Sequence, residues 1–372
     1  MTESLFGFAA GDANFPDGQY KGIRRYLVQA LTISSHGGLD HVEFREDLPV
    51  PELTRPGDVR IRVHAVALNR LDLFVVAGLP GVTITPPWIL GADASGIVDS
   101  VGVEVTGLAA GDHVVINPGL SDRTCEYCRK GEQPLCPRFG LLGEHFPGSL
   151  AELIVIPATN VRRIPASIPL EEASAFTLAT LTAWRMLVSR ARVQSGEDVL
   201  IWGIGGGVAL AALKICKEIG ARTWVVSSSN EKLERAREIG ADVLLNRLEV
   251  DVARTIRDRT GKRGVDVVAD NVGKDTWEQS LRSLGRRGRL VTCGATSGPF
   301  VETDVRRLFW NQWSILGSTM GNDDEFETVV RAYSEERLRP VVDSVHPIAE
   351  GRTAFERLAS GRQFGKVVVR VA

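Results

Sequence analysis

Four side chains with metal-binding chemistry are clustered in one short segment of the sequence. Asp122, Cys125, Cys128 and Cys136 follow the spacing D-x2-C-x2-C-x7-C. Three thiolates and one carboxylate can hold Zn²⁺ tetrahedrally, and four protein ligands leave no open position for chemistry. The spacing therefore predicts a structural zinc ion held by a lobe of about residues 119–140. An empty cysteine cluster and a Cys125–Cys128 disulfide are the alternatives.

A glycine-rich turn lies between a predicted strand, Val199–Trp202, and a predicted helix, Val208–Ile219. Glycine permits a tight turn and lets backbone N–H groups approach a pyrophosphate at the positive end of the helix. The last glycine of the G-x-G-x-x-G pattern is replaced by Val208, or by Ala209 if one residue is inserted. Such turns also serve as plain connections, but between a strand and a helix this one predicts dinucleotide binding. The predicted contacts are Gly203, Gly205, Gly206, Gly207 and Val208.

The end of the second strand of this alternating region bears on the choice of coenzyme. An NAD-specific site places Asp or Glu there, to bind the ribose 2′-hydroxyl. Here Ser227, Ser228 and Ser229 follow the strand, and Lys232 comes shortly after them. Hydroxyls can donate to a 2′-phosphate, and a lysine can neutralise it. The sequence therefore favours NADP(H), although serines also tolerate NAD(H) and Glu231 could point inward.

Two kinds of secondary-structure pattern must position these residues. Up to about Ile156, short β-type runs are interrupted by Gly and Pro, which predicts a mostly β domain with long loops. Beyond Pro165, apolar strands alternate with amphipathic helices, which predicts a doubly wound parallel sheet and hence an α/β fold class. Further strands are expected at Tyr26–Ile33, Val59–Val66, Gly96–Val101, His113–Ile116, Thr223–Val226, Val265–Ala269, Arg289–Cys293, Ser314–Leu316 and Lys366–Val371, and helices at Leu170–Val188, Glu231–Ile239 and Phe326–Tyr333.

Length and composition narrow the class of protein. A chain of 372 residues suits two domains, and 44% hydrophobic with 24% charged residues is typical of globular proteins. A formal charge of −2 gives no reason to expect nucleic acid or a membrane surface as a partner. No run spans a bilayer, and the first residues lack a signal-peptide pattern. An odd number of partly clustered cysteines predicts reduced thiols and a cytoplasmic protein. Residues 1 to about 25 are expected to form an irregular arm.

The order of these parts resembles that of the medium-chain dehydrogenase/reductases, from about Tyr26 to the C-terminus. The phrases that carry the resemblance are ALNRLD at 67–72, GADASG at 91–96, GDHV at 111–114 and GRLVTCG at 288–294. The resemblance implies a GroES-like domain over residues 1–163 and 318–372, joined to a Rossmann domain over residues 164–317. Members similar to the quinone oxidoreductase branch reduce quinones, activated C=C bonds or carbonyls with NAD(P)H. The resemblance also implies a homodimer or homotetramer.

The resemblance further implies that the catalytic metal ligands are missing. The zinc alcohol dehydrogenases of this family have metal ligands at the positions of Asn69, Ala92 and Leu178. They also have a proton-relaying Ser or Thr at the position of Leu71. Without a Lewis acid, zinc-dependent alcohol oxidation loses its electrostatic stabiliser. We therefore expect a reductase of quinones or α,β-unsaturated carbonyls that transfers hydride directly to a small-molecule substrate.

Five further positions acquire roles through the resemblance. Asn69 would lie beside the nicotinamide and hydrogen-bond a substrate carbonyl, or only contact backbone. Thr182 would pack near the nicotinamide ring. Arg70 and Lys366 would approach the coenzyme diphosphate, with surface ion pairs as the alternative, and Gly294 would also contact the coenzyme.

The sequence leaves two other functions open. One is a zinc-dependent alcohol dehydrogenase with unusual ligands such as Asp72 and Asp93, although these carboxylates are rather expected to orient their neighbours. The other is a non-catalytic protein that binds the nucleotide without consuming it. The residues expected to line an apolar substrate pocket, or else to belong to the core, are Phe74, Trp88, Leu178 and Trp310.

Overall fold

The computed structural model describes residues 27–372, so the arm predicted at about residues 1–25 lies outside the described part. The first part of the chain is mostly β, as predicted. Its strands and helices are β1 (Leu27–Ile33), β2 (Glu43–Pro49), β3 (Asp58–Ala67), α1 (Arg70–Ala77), β4 (Trp88–Ile89), β5 (Ser95–Val101), β6 (His113–Ile116), β7 (Gly119–Leu120), α2 (Glu126–Arg129), β8 (Gly140–Leu141), β9 (Leu153–Pro157), β10 (Val161–Arg163), α3 (Leu170–Ser174) and α4 (Thr177–Trp184).

The second part alternates strands and helices. Its elements are β11 (Asp198–Ile201), α5 (Gly207–Ile219), β12 (Arg222–Ser227), α6 (Asn230–Glu238), β13 (Val243–Asn246), α7 (Val252–Arg259), β14 (Val265–Asp270), α8 (Trp277–Ser283), β15 (Leu284–Thr292), α9 (Val305–Asn311), β16 (Ser314–Gly317), α10 (Asp323–Ser334), β17 (Val342–Pro347), α11 (Gly351–Ala359) and β18 (Lys366–Arg370).

The six strands β11–β16 form one sheet in the order β13-β12-β11-β14-β15-β16. Every neighbouring pair in this sheet is parallel. This is the strand order of a Rossmann fold, whose ligand-binding crevice lies where the order reverses, here between β11 and β14. The predicted Rossmann fold is therefore confirmed.

The first part builds a mixed sheet in the order β10-β6-β5-β3-β18-β17, with β9 also paired to β3. The C-terminal strand β18 lies antiparallel to β3, with Val368 opposite Ala67. The chain thus returns to its first domain, as expected from the sequence. Apolar side chains of these strands form a core with α1 and α11. The domain boundaries at residues 163/164 and 317/318 stay predictions.

The prediction of one helix over Leu170–Val188 is wrong in one respect, because this segment is divided into two helices. Helices α3 and α4 are separated at Ala175 and Phe176, and a π-helical segment, Arg185–Arg190, follows. The ring of Phe176 stacks on that of Tyr333, with centroids 4.5 Å apart. A second helix start creates new backbone N–H groups that lack intrahelical partners. These groups are used at the candidate site described below.

Among residues 27–372, none of the helices combines the length and the apolarity needed to traverse a bilayer.

Candidate active site and metal lobe

The glycine loop, residues 203–208, lies at the crevice between β11 and β14. Gly203 (φ +72°) and Gly205 (φ +107°) adopt left-handed conformations that favour glycine. Helix α5 begins at Gly207, and its N-cap residue, Gly206, has no side chain that could cap the helix. The first N–H groups of α5 are therefore available to a phosphate at the positive end of the helix.

Asn271 lies between this loop and the segment after β15, and it is not among the site residues predicted from the sequence. A β-carbon built on Gly203 would lie 3.6 Å from Asn271 Oδ1, and one built on Gly294 would lie 3.3 Å from the Asn271 carbonyl oxygen. Two predicted coenzyme contacts are thus brought together around Asn271. Its signal in the sequence is its place directly after the buried strand β14, at the carboxyl edge of the parallel sheet.

The serines after β12 are partly engaged within the protein. Ser229 caps α6, because its hydroxyl accepts the N–H of Lys232 at 3.3 Å. The Ser227 hydroxyl accepts the N–H of Ser229 at 3.1 Å. The Ser228 side chain is exposed, and within the described residues it has no hydrogen-bond partner. The Ser228 hydroxyl is therefore both exposed and, within residues 27–372, unengaged, whereas Ser227 and Ser229 use their hydroxyls as acceptors.

Two predicted coenzyme-binding cations converge near the glycine loop. Lys232 Nζ donates to the carbonyl oxygen of Gly361 at 2.5 Å. A β-carbon built on the same Gly361 would lie 3.5 Å from a terminal nitrogen of Arg70, and one on Gly205 would lie 2.9 Å from Lys232 Cδ. Burial, chiefly, and the nearby Arg70 charge both act to lower the pKa of Lys232. An anion between these groups would relieve that repulsion.

Asn69, Asp93 and Lys366 form a buried network beside the glycine loop. Lys366 Nζ donates to Asn69 Oδ1 at 2.5 Å and to Asp93 Oδ2 at 3.0 Å. Asn69 Nδ2 donates to the same Asp93 oxygen at 2.9 Å. A β-carbon built on Gly207 would lie 2.8 Å from Lys366 Cδ, so the lysine stem covers the loop. For Lys366 to reach a coenzyme diphosphate, as the resemblance predicts, its ammonium would have to leave this network.

Asp93 is the centre of the network. Its second oxygen, Oδ1, accepts the Thr177 hydroxyl at 2.5 Å and the N–H of Leu178 at 2.7 Å. The start of α4 supplies both donors, the side-chain hydroxyl of Thr177 and the backbone N–H of Leu178. The Leu178 N–H is available because the first N–H groups of a helix lack intrahelical partners. Asp93 therefore ties together α1, α4 and β18.

Asp72 fixes the backbone of Asn69. Asp72 Oδ2 accepts the Asn69 N–H at 2.6 Å, and the two residues form a capping box at the start of α1. Burial raises the pKa of Asp72 to about 7. Both Asp72 and Asp93 thus orient Asn69, as expected from the sequence.

The remaining predicted site residues are dispersed. Thr182 is buried on α4, where its Oγ1 lies 3.7 Å from Met320 Sδ. Trp88 belongs to the core of the first domain, and its indole N–H donates to the Gly143 carbonyl at 2.9 Å. Trp310 is 74% exposed on α9. Trp88 thus lies in a core and Trp310 at the surface, whereas Leu178 adjoins Asp93 through its backbone N–H, and the apolar pocket expected from these residues stays a prediction.

The metal lobe is closed by a two-stranded sheet of β7 and β8, which brings residues 119 and 141 together. Within residues 27–372, one group of metal-binding side chains comes together, and its ligand atoms all lie within 4.8 Å of one another. The group consists of the predicted residues Asp122, Cys125, Cys128 and Cys136. All five cysteines of the chain fall in the described part, and none is bridged. The donor set fits a tetrahedral Zn²⁺, with only a small contraction of the cluster.

Hydrogen bonds from backbone N–H groups orient the ligand atoms of this cluster. Cys136 Sγ accepts the N–H of Arg138 at 3.3 Å, and Cys125 Sγ accepts the N–H of Cys128 at 3.5 Å. Asp122 Oδ1 accepts the N–H of Cys125 at 2.9 Å. The Cys125 N–H is the largest of several interactions that hold the pKa of Asp122 well below its usual range. Asp122 is therefore ionised and oriented, while its second oxygen pairs with Arg138.

Comparison with known proteins identifies the family to which this architecture belongs. The Rossmann fold, the GroES-like domain and the cysteine lobe together define a medium-chain dehydrogenase/reductase. Residues 55–166 match the model of the alcohol dehydrogenase GroES-like domain, and residues 207–335 match that of the zinc-binding dehydrogenases. The chain belongs to the zinc-binding dehydrogenase family and is an oxidoreductase of the medium-chain dehydrogenase/reductase type.

Three similar proteins illustrate the range of the family. An acryloyl-coenzyme A reductase of Metallosphaera sedula is 30% identical over 92% of this chain and 99% of its own. A quinone oxidoreductase of Pseudomonas aeruginosa is 29% identical over 92% of this chain and 99% of its own. The crystal structure of an NAD-dependent alcohol dehydrogenase is 41% identical, with a TM-score of 0.89 over 92% of this chain and 100% of that one.

Proposed function

We propose that this protein is an NADP(H)-preferring reductase of quinones or α,β-unsaturated carbonyl compounds, which transfers hydride without a catalytic metal. One observation carries the proposal. The buried network of Asn69, Asp93 and Lys366 includes Asn69, the position at which the resemblance puts a metal ligand in zinc alcohol dehydrogenases.

The chemistry of this network argues against a metal bound there. The Lys366 ammonium has no lone pair to offer a metal. Asp93 already accepts donors at both oxygens, from Asn69 and Lys366 at one, and from Thr177 and Leu178 at the other. A metal ion would have to displace these hydrogen bonds, three of which are buried and one partly buried. This also weighs against the alternative in which Asp72 and Asp93 bind a second zinc ion.

The choice of coenzyme rests on charge. The loop at residues 203–208 and the start of α5 provide the N–H groups that would bind a pyrophosphate. Beyond it, Ser228 and Lys232 would favour an additional phosphate, while Glu231 is the opposing charge. A bound dinucleotide would supply the hydride. The chain would bind it, exclude water and donate hydrogen bonds to the acceptor.

The relatives support reduction of conjugated acceptors, since they include a quinone oxidoreductase and an acryloyl-coenzyme A reductase. They also include alcohol dehydrogenases, so the experiment must separate the two activities. We therefore propose to mix the purified protein with NADPH or NADH and a panel of quinones, enones and aldehydes. Oxidation of the coenzyme would be followed at its near-ultraviolet absorbance band.

We expect turnover with quinones or enones, faster with NADPH than with NADH, and unchanged after incubation with a chelator that removes accessible catalytic zinc. Coenzyme binding without turnover on any acceptor would instead indicate a non-catalytic nucleotide-binding protein. Oxidation of alcohols together with a second zinc ion per chain would indicate a zinc-dependent alcohol dehydrogenase.

A further inference from the structure

We propose that Lys366 and Asp93 are positioning residues that fix the side-chain amide of Asn69 as a hydrogen-bond donor towards the substrate. This inference rests on the proposed function and narrows its substrate class. The site would favour acceptors whose carbonyl oxygen gains negative charge when hydride arrives.

The orientation of the Asn69 amide follows from the chemistry of its two partners. An ammonium can only donate a hydrogen bond, and a carboxylate can only accept one. Asn69 Oδ1 faces Lys366 Nζ at 2.5 Å, and Asn69 Nδ2 faces Asp93 Oδ2 at 2.9 Å. A flipped amide would set its N–H₂ against the ammonium and its oxygen against the carboxylate. The charge pair therefore permits one orientation of the amide.

One hydrogen of the amide is only weakly engaged. Besides its bond to Asp93, Asn69 Nδ2 donates to the Ala67 carbonyl at 3.3 Å, beyond the usual range for an N–H···O bond. A substrate oxygen could take over this hydrogen without disturbing the contacts to Asp93 and Lys366. The amide would then offer the substrate a donor and never an acceptor.

The surroundings keep the amide from turning. Asn69 is 9% exposed, Lys366 4% and Asp93 0%. Asp72 holds the Asn69 backbone, while Thr177 and Leu178 hold Asp93. In such a dry setting a prepositioned donor stabilises developing charge more strongly than water does, because no reorganisation is needed.

The donor matches the electron flow of the proposed reaction. When a hydride adds to the β-carbon of an enone, the electron pair of the C=C bond shifts and the carbonyl oxygen becomes an enolate oxygen. A proton from water then forms the new C–H bond at the α-carbon. In a quinone the same negative charge arises on a ring oxygen. The Asn69 N–H would stabilise this oxygen in either case.

The first test compares three lysine variants by steady-state and single-turnover kinetics on an enone or quinone. The glutamine side chain of Lys366→Gln can donate or accept a hydrogen bond, so it no longer dictates the orientation of the Asn69 amide. We expect its hydride-transfer rate to fall by about 10²-fold, the effect of losing one oxyanion donor, with a less than threefold change in coenzyme Kd. Lys366→Arg, which only donates, should restore most of the rate. Lys214→Gln is the matched control, because this half-buried lysine on α5 contacts Arg339 rather than Asn69.

The second test does not depend on turnover. The probe is 4-nitrophenolate, an oxyanion with enolate-like charge, and its binding by difference absorbance is compared with that of neutral 4-nitroanisole. We expect the wild-type protein to prefer the anion and Lys366→Gln to lose this preference. If Lys366→Gln fails to fold, Lys366→Gln/Asp93→Asn restores the charge balance and should show the same loss.

Two outcomes would overturn the inference. One is a Lys366→Gln variant that raises the coenzyme Kd while its hydride-transfer rate is unchanged, which would make Lys366 a diphosphate ligand only. The other is equal binding of both probes by the wild-type protein. A wild-type protein that prefers the anion but turns over no quinone or enone would refute the proposed function and leave the amide orientation standing.

Discussion

Gly207 and Lys366 are packed so closely that a β-carbon added to Gly207 would come within 2.8 Å of Lys366 Cδ. The glycine loop and the buried network of Asn69, Asp93 and Lys366 are therefore in direct contact. A change at the first turn of α5 should be transmitted to the network through the lysine stem.

This contact predicts different outcomes for two neighbouring glycines. Gly207→Ala should lower the free energy of unfolding by about 1–3 kcal/mol, because the methyl group overpacks against Lys366 and against Ala179. Gly206→Ala is the matched control, since its nearest atom, the Gly203 carbonyl oxygen, lies at an ordinary 3.4 Å. Urea unfolding measures both. Equal stability of the two variants would show that the lysine stem is not held in place.

The exposed Ser228 allows the coenzyme preference to be tested without altering the cap of α6. Ser228→Asp should reduce kcat/KM with NADPH by about tenfold or more, because a carboxylate repels a 2′-phosphate. The effect on NADH should be small. Ser228→Asn is the neutral control and should behave like the wild-type protein. If Asp at this position lowers activity with both coenzymes alike, Ser228 does not lie at the ribose.

We predict that the zinc content of the protein depends on the three cysteines of the metal lobe, Cys125, Cys128 and Cys136. Cys128→Ala should lose the zinc ion and lower the melting temperature, because three ligands hold the ion less well than four. Cys216→Ala is the matched control, since Cys216 is buried on α5 and outside the cluster. Metal analysis and thermal unfolding provide the two readouts. Retention of zinc by Cys128→Ala would place the ion elsewhere.

The raised pKa of Asp72 predicts that the stability of the protein depends on pH. Burial raises this pKa from the ordinary aspartate value of 3.8 to about 7 in the folded protein. The folded state therefore binds the proton more tightly, so the stability contribution is full below about pH 4 and is lost as the pH rises to about 7. Over that window the loss amounts to at most about 4 kcal/mol. Asp72→Asn should abolish it, so the variant should gain stability relative to the wild-type protein between pH 4 and pH 7.

Asp99 provides a control, because its pKa is shifted in the opposite direction from that of Asp72. Burial acts to raise its pKa, but hydrogen bonds and charge from Arg60 and Arg62 outweigh burial, and the pKa is lowered. Its contribution is present above its unfolded pKa and is lost only at lower pH. Unfolding of Asp99→Asn compared with the wild-type protein should therefore show a constant difference between pH 5 and pH 8. A flat Asp72→Asn difference over the same range would contradict the raised pKa.

We propose that the exposed edge of the Rossmann sheet forms the interface of the homodimer or homotetramer that the family resemblance implies. Strand β16 ends the sheet, and the neighbouring helix α9 carries exposed Phe309 and Trp310. Such an edge with apolar neighbours favours pairing with a second copy of the chain. Trp310→Glu should lower the molar mass of the homodimer or homotetramer in light scattering, while Val103→Glu, on an exposed turn elsewhere, should not. A monomeric wild-type protein would refute this proposal.

The sequence by itself determined the features whose residues are neighbours in the chain. The glycine loop follows directly on a strand, and Asp122, Cys125, Cys128 and Cys136 lie within one loop, so spacing alone indicated their chemistry. The alternation of strands and helices likewise indicated the Rossmann fold, because hydrophobic periodicity is a local property. The division of the helix between Leu170 and Val188 was missed, and β13 and α7 were not predicted.

The tertiary structure decided the contacts of the active-site network. Asn69 is 24 residues from Asp93 and 297 from Lys366, so their meeting depends on the antiparallel register of β18 on β3. The start of α4, which supplies two donors to Asp93, depends on packing around Phe176. No local pattern specifies these pairings, because each buried polar group takes the partner that the fold brings to it.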